Sequence, residues 1–359
     1  MSNFLKGIGI KFYRGIGSDE QRLSPFRKFN YFIGANNSGK STVLSFISSY
    51  LYTVNDGLSL SGRSRKRAAM DALDEHRGAI TGKPSMTIAV DALEFIKNIH
   101  NAYDAKIKGN SIIEDDIKII VDHVSEDGLI WINCPFDGGR GFSFCLNVEP
   151  SVIGQGLGRV HWSKLWQIFT QYVSGGSVRE WITDVMDAIL NCQSMQFPSV
   201  HSIPALRQIG PKGGEFGDFS GRGLIDRLAE IQSPDHDKRE EREIFNKINL
   251  FLQTVTGKKD AFIEIPHNRE HILVHMDNKV LPLRSLGTGI HEVIMIASFC
   301  TIENNKIFCI EEPELHLHPL LQRKLVEYLN MNTDNQYFVA THSAAFIDTP
   351  GAAIFHVAI

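Results

Sequence analysis

The chain has 359 residues, 43% of them hydrophobic and 22% charged, with a formal net charge of −4. That length holds one large domain or two modest ones. The slightly acidic total excludes a protein wrapped wholesale in nucleic acid, so any such contact must be local. No run approaches the roughly 20 apolar residues of a membrane helix. Lys6, Lys11 and Arg14 interrupt the N-terminal apolar residues, and the five cysteines form no C-x-x-C pair. A cytoplasmic, reducing location without a membrane partner is expected.

In chain order, FLKGIGIKFYRG reads as a strand and FNYFIG as a short apolar strand ending at Gly34. STVLSFISSYLY then places Val43, Leu44, Phe46, Ile47, Tyr50 and Leu51 at helical spacing. Residues 61–84 are polar and basic. There Arg63, Arg65, Lys66 and Arg67 offer contacts to DNA or RNA phosphates or form a solvated helix face. SMTIAVDAL, DIKIIVDHV, GLIWINC and GFSFCLNV, divided by turn residues, suggest an antiparallel sheet. Residues Trp162 to Cys192 read as helices, and GPKGGEFGDFSGRG, from Gly210 to Gly223, reads as a mobile loop in which Lys212 and Arg222 raise the same question of phosphate contact. LIDRLAEIQ and REEREIFNKINLFLQTVTG restore the helical period.

The last third begins with a hairpin in AFIEIP, HILVHMD and VLPL. The helix EVIMIASFC, the strand KIFCI, the helix PLLQRKLVEYLN with Pro319 in its first turn, and the strand QYFVAT follow. Apolar strands alternating with amphipathic helices imply a parallel sheet covered on both faces. The expectation is an α/β chain forming one domain. Residues 1–60 and 258–359 would make its nucleotide-binding core, 85–150 an antiparallel part, and 155–257 a helical insertion and loop.

GANNSGKST, residues Gly34, Ala35, Asn36, Asn37, Ser38, Gly39, Lys40, Ser41 and Thr42, fits G-x-x-x-x-G-K-S/T between a strand and a helix. Its glycines let backbone N–H groups turn inward onto ATP or GTP phosphates, and the helix adds its positive end. Lys40 would reach the β- and γ-phosphates, Ser41 would ligate magnesium, and Thr42 would meet the α-phosphate. KIFCI supplies the second strand such a site needs. At its end Glu311 falls at the magnesium position and Glu312 where a base accepts a proton from water or orients it. Pro313 stops further pairing. His316 and His318, spaced i, i+2, leave open a metal site or a place near a subunit interface. RSLGTGIHE sets Ser285, Gly287 and Gly289 before a helix, a second anion-binding N-terminus without a lysine. His342 closes the strand of QYFVATHS, where an imidazole can donate to a γ-phosphate.

In this order GANNSGKST, RSLGTGIHE, IEEPELHLHP and VATHS resemble the Walker A, signature, Walker B with D-loop, and switch-histidine motifs of ABC-type ATPases. Among these the chain is most similar to the ATPase domain of the OLD (overcoming lysogenization defect) family and its relatives in bacterial anti-phage and retron systems. SIPALRQIG, Ser202 to Gly210, also looks like a segment of that group. The resemblance implies an ABC-type P-loop NTPase fold with a mixed sheet, an antiparallel β subdomain and a helical insertion, acting as an ATPase on ATP with Mg2+. It implies a head-to-tail homodimer or a higher even-numbered oligomer. In it, Ser285, Gly287 and Gly289 of one subunit cap the γ-phosphate held by Gly34 to Thr42 of the other, and His316 and His318 lie in the D-loop at the interface.

RSLGTG is a loose form of L-S-G-G-Q, Glu311 stands where aspartate is usual, and Gln208 is the candidate Q-loop glutamine. A TOPRIM nuclease domain, which would need a glutamate and a D-x-D pair, is not expected in this chain. Asp235 and Asp237 sit in a polar stretch that reads as a solvated helix start. Two functions follow: the motor or gate of a nuclease in anti-phage defence or DNA processing, or a slowly hydrolysing scaffold that holds a toxin or nuclease effector.

Overall fold

A computed structural model describes residues 4–54, 70–136, 145–146, 148, 150–170, 172, 174–193 and 195–358. Contacts divide the chain into two compact units, the described parts of residues 1–4, 27–51 and 198–359 and of residues 5–26 and 52–197. The fold is mixed α/β, with a parallel sheet in the first unit and an antiparallel one in the second.

The parallel sheet has five strands: β1 (Phe29–Ile33), β2 (Val200–Ile203), β3 (Ile307–Glu311), β4 (Gln336–Ala340) and β5 (Ala353–His356). Their spatial order is β5-β1-β4-β3-β2, and every pair is parallel. The strand that ends in the lysine-bearing loop and the strand that ends in the two carboxylates are therefore not neighbours; β4 lies between them. All five residues of β4, and the first four of β1 and of β3, are buried, as expected of strands covered on both faces. Phe29, Tyr337 and Phe308 stack along this core, with ring centroids 5.0 and 6.0 Å apart. Burying each such ring contributes roughly 1.5–3 kcal/mol.

Around the sheet lie α1 (Lys40–Tyr50), α2 (Leu224–Gln232), α3 (Glu241–Thr256), α4 (Thr288–Ile302) and α5 (Pro319–Asn332). Every residue of α4 from Glu292 to Ile302 is buried. An apolar surface on all sides makes it the central helix of this unit, packed against α3 and α5. The Asn335 amide donates to the carbonyls of Cys300 and Glu303 at 2.7 and 3.0 Å, satisfying the end of α4 from the start of β4. Three antiparallel strands, Phe262–Glu264, Leu273–Met276 and Lys279–Pro282, lead into α4.

The passage expected to be a mobile loop, Gly210 to Gly223, is tied down. Gln208 donates its N–H to Ser220 O at 2.7 Å, Gly210 to Gly221 O at 3.1 Å, and Gly213 to the Asp226 carboxylate at 2.6 Å. Phe219 is buried against Phe299 and Phe308, so one aromatic ring anchors a tract whose glycines had suggested freedom. Gly221 has φ +116°, and a Cβ there would meet Gln208 O at 2.1 Å. Its glycine serves close approach of two backbone segments.

In the second unit the strands Gln21–Leu23, Gly7–Lys11, Ser85–Asp91, Leu129–Pro135 and Ser125–Glu126 follow one another in an antiparallel sheet, with Cys145–Leu146 also paired to Leu129–Pro135. DIKIIVDHV, expected as a strand, belongs to the helix Ser111–Val124. Asn110 caps that helix by accepting Ile113 N–H, and Ile113, Ile117, Ile120, Val121 and Val124 form its buried face. The cap and the spacing of three to four residues outweigh the continuous apolar run.

The compact units cut the chain elsewhere than at the expected boundaries. Residues 5–26 leave the core because Gly7–Lys11 pairs with Ser85–Asp91, while residues 198–257 join it because β2 pairs with β3 and α3 packs on α4. Arg63, Arg65, Lys66 and Arg67 lie outside the described residues, as does most of GFSFCLNV. Among the described residues no helix is long and apolar enough to cross a membrane.

Candidate nucleotide-binding site

The loop Gly34 to Gly39 leaves the C-terminal end of β1 and opens α1. Gly39, the residue before the helix, has φ 97°, and Asn37 has φ 63°. No side chain caps the helix start and its first turn carries no acid. The free N–H groups of that turn are thus left for an outside anion. Gly34 packs tightly, since a Cβ there would meet Val357 O at 2.3 Å and Ser38 Oγ at 2.6 Å.

Lys40 is 6% exposed. Its Nζ donates to the carbonyls of Gly34 and Ala35, each at 3.0 Å, and lies 2.9 Å from Nε2 of His342. An ammonium can only donate, so Nε2 accepts and the imidazole proton sits on Nδ1. The same Nε2 is 3.5 Å from Oε1 of Glu312. Three residues expected to act together are thus joined across the ends of β1, β4 and β3.

Burial pushes the Glu312 carboxyl up to about 7, with the neighbouring charge of Glu314 adding to it and Lys40 opposing it. A carboxyl poised there is suited to proton transfer near neutrality. Glu312 has φ 42°, and its N–H still reaches Ala340 O at 2.9 Å, so the chain turns away from the sheet one residue after β3 ends. Among the described residues the side chains of Ser41 and Glu311 make no hydrogen bond or ion pair. Ser41 is exposed at the first turn of α1 and Glu311 half-buried at the end of β3. A hydroxyl and a carboxylate, both uncommitted, are oxygen donors of the type magnesium takes. Thr42 is half-buried in the same turn.

The signature segment lies at the other end of α4's connection. Leu283–Leu286 forms a short 3-10 turn, and Gly287, at φ 97°, opens α4. Ser285 and Gly287 are exposed, and Ser285 makes no hydrogen bond among the described residues. Gly289, expected ahead of the helix, lies inside its first turn against the turn that follows β3. A Cβ there would meet His316 O at 2.8 Å.

His318 caps α5, its Nδ1 accepting Leu320 N–H at 3.3 Å, a role that histidine-pair spacing does not suggest. Gln208 is exposed, with its backbone engaged to Ser220.

Two further features escaped sequence reasoning. The Arg207 side chain is fully buried, with Nε 2.8 Å from Glu292 Oε2 in α4. Its Nη1 donates to Pro204 O at 2.8 Å and to Glu311 O at 3.3 Å. It thus ties the carboxylate strand to the helix that the signature opens. Removing one partner of such a buried pair costs about 3–5 kcal/mol. Glu314 accepts the His342 backbone N–H at 2.5 Å. The third acid of EEPE was its only trace in the sequence.

A family model described as an AAA ATPase domain matches residues 222–347. No curated protein matches. Among solved structures, an Smc head bound to the C-winged helix domain of ScpA is 13% identical, with a TM-score of 0.46, covering 99% of this chain and 94% of that one. The SMC head domain from Thermotoga maritima is 12% identical with a TM-score of 0.43, covering 96% and 91%. An Smc head from Pyrococcus furiosus with an extended coiled coil, bound to the C-terminal domain of ScpA, is 12% identical with a TM-score of 0.45, covering 96% and 90%. The matched segment holds Ser285, Gly287, Gly289, Glu311, Glu312 and His342, and residues 34–42 lie outside it. The family match supports an ATP-binding ATPase domain.

Proposed function

We propose that the chain binds ATP with Mg2+ at Gly34 to Thr42 and hydrolyses it as a head-to-tail homodimer, or a higher even-numbered oligomer, that gates a nuclease in DNA processing or anti-phage defence. The observation that carries this reading is the convergence of Lys40, His342 and Glu312 at the ends of three parallel strands. Lys40 exchanges the Gly34 and Ala35 carbonyls for β- and γ-phosphate oxygens, carrying its positive charge onto the anion. His342, released from Lys40, shifts to the tautomer that carries its proton on Nε2 and donates that N–H to a γ-phosphate oxygen. Glu312 orients the attacking water and takes its proton. Ser41 and Glu311 would hold magnesium, which when bound neutralises charge on the phosphates. The exposed Ser285 and Gly287 support capping of the site by the signature segment of a second copy.

A second reading rests on Glu311 in place of the usual aspartate and on the loose RSLGTG signature. Both favour slow turnover, in which an ATP-locked dimer holds a toxin or nuclease effector. Steady-state ATP hydrolysis with and without DNA, compared with Glu312→Gln, separates the two. The gate predicts severalfold stimulation by DNA and a loss of about 100-fold in the variant. The scaffold predicts near-zero turnover with a stably retained partner. Hydrolysis undiminished in Glu312→Gln overturns the role given to that residue in either reading.

A further inference from the structure

The backbone that carries His342 is held from the turn following β3 by two separate links. Glu314 accepts the His342 N–H. One residue on, the Ser343 hydroxyl donates to Oε1 of Gln322, a buried side chain whose Nε2 donates to Leu317 O at 2.8 Å. The turn itself is braced, with Leu315 N–H on Glu312 O at 3.2 Å and Leu317 N–H on Glu314 O at 2.8 Å. Glu312 and the anchor of His342 thus belong to one braced turn. The braced turn adds to what the β3–β4 ladder fixes, whose last register pair is Glu311–Ala340 and whose last bond runs from Glu312 N–H to Ala340 O.

From this geometry we infer that Glu314 is a positioning residue for ATP hydrolysis, holding His342 by a carboxylate on its backbone N–H while touching neither nucleotide nor water. The inference rests on the proposed ATPase reading. A charge-assisted bond to a strand-end N–H is among the stronger and shorter ones available to a protein. Displacing a catalytic group by about 1 Å can cost about 100-fold in rate while leaving substrate binding intact.

Glu314→Ala is expected to lower kcat about 10- to 100-fold, with the Kd for ATP held within about threefold. Glu314→Gln, whose side-chain carbonyl still accepts the N–H, is expected to recover most of the rate. In a His342→Ala background Glu314→Ala is expected to cost much less than in wild type, leaving only the part that acts through the neighbouring Glu312 carboxyl. Wild-type turnover in Glu314→Ala, a Gln variant as slow as the Ala variant, or additive losses in the double variant would each overturn the assignment. The clamp is also read without turnover. In a histidine-labelled sample the His342 amide proton, assigned with His342→Gln, lies downfield and moves upfield in Glu314→Gln and again in Glu314→Ala. An unmoved proton overturns the clamp. Absence of hydrolysis in wild type together with a moving proton counts against the ATPase reading alone.

Discussion

The loop of residues 34–42 and the signature segment of residues 284–289 both place glycines at the start of a helix, yet they meet their surroundings in opposite ways. The loop is folded onto itself: Lys40 is buried, gives two hydrogen bonds to the loop's own carbonyls and contacts His342. In the signature segment Ser285 is exposed, makes no bond among the described residues, and precedes a Gly287 with nothing within 4 Å of a Cβ placed there. The lysine accounts for the difference. A buried ammonium must find acceptors close by in its own chain, whereas an exposed hydroxyl is satisfied by water. One half of the proposed composite site must therefore exchange internal bonds for phosphate, and the other needs only to be brought to it.

The largest effect should come from breaking the self-engaged half. Lys40→Ala is expected to abolish ATP binding in a titration calorimeter, and retained micromolar affinity would refute the site. The exposed half is tested by complementation. Lys40→Ala and Ser285→Arg should each be inactive, while a one-to-one mixture that exchanges subunits should recover about a quarter of wild-type turnover. Half of its dimers would then carry one intact site of two. A mixture as inactive as its parts would mean that the signature does not act across subunits.

How much of this was legible beforehand differs between the two halves of the chemistry. The spacing of GANNSGKST announces its backbone geometry, because glycine and lysine in that pattern have few other uses, and KIFCI followed by two glutamates marks a strand end by its abrupt change in polarity. The strand order was not legible. Nothing in the sequence says that β4 separates β1 from β3, since each strand is mostly apolar and its pattern names no neighbour. Arg207 and Glu292 were hidden for a related reason. They lie 292 − 207 = 85 residues apart, and only tertiary packing makes a buried pair of them. DIKIIVDHV was misread because four apolar residues in five hide their own period, and only the Asn110 cap upstream carried the correction.

The smallest effect sharpens the account of the self-engaged half, through Glu312 measured without nucleotide or magnesium. Its carboxyl is pushed from 4.5 up to about 7, chiefly by burial and then by the charge of Glu314. The folded protein therefore binds this proton more tightly than the unfolded chain does. Stability from this group is fully present below about pH 4.5, falls as pH rises, and is lost above about 7. Glu312→Gln removes that dependence. The variant's melting temperature relative to wild type should be flat below pH 4.5, climb between the two values, and level off above 7. Because Glu312 is only partly buried, solvent screening limits the gain to about 1–2 °C. Lys40 opposes the shift, so in a Lys40→Ala background the climb should extend to higher pH. A difference that is constant from pH 4 to 9, or one that falls as pH rises, would mean that Glu312 is not held in the buried, Glu314-facing position from which its role as base is argued.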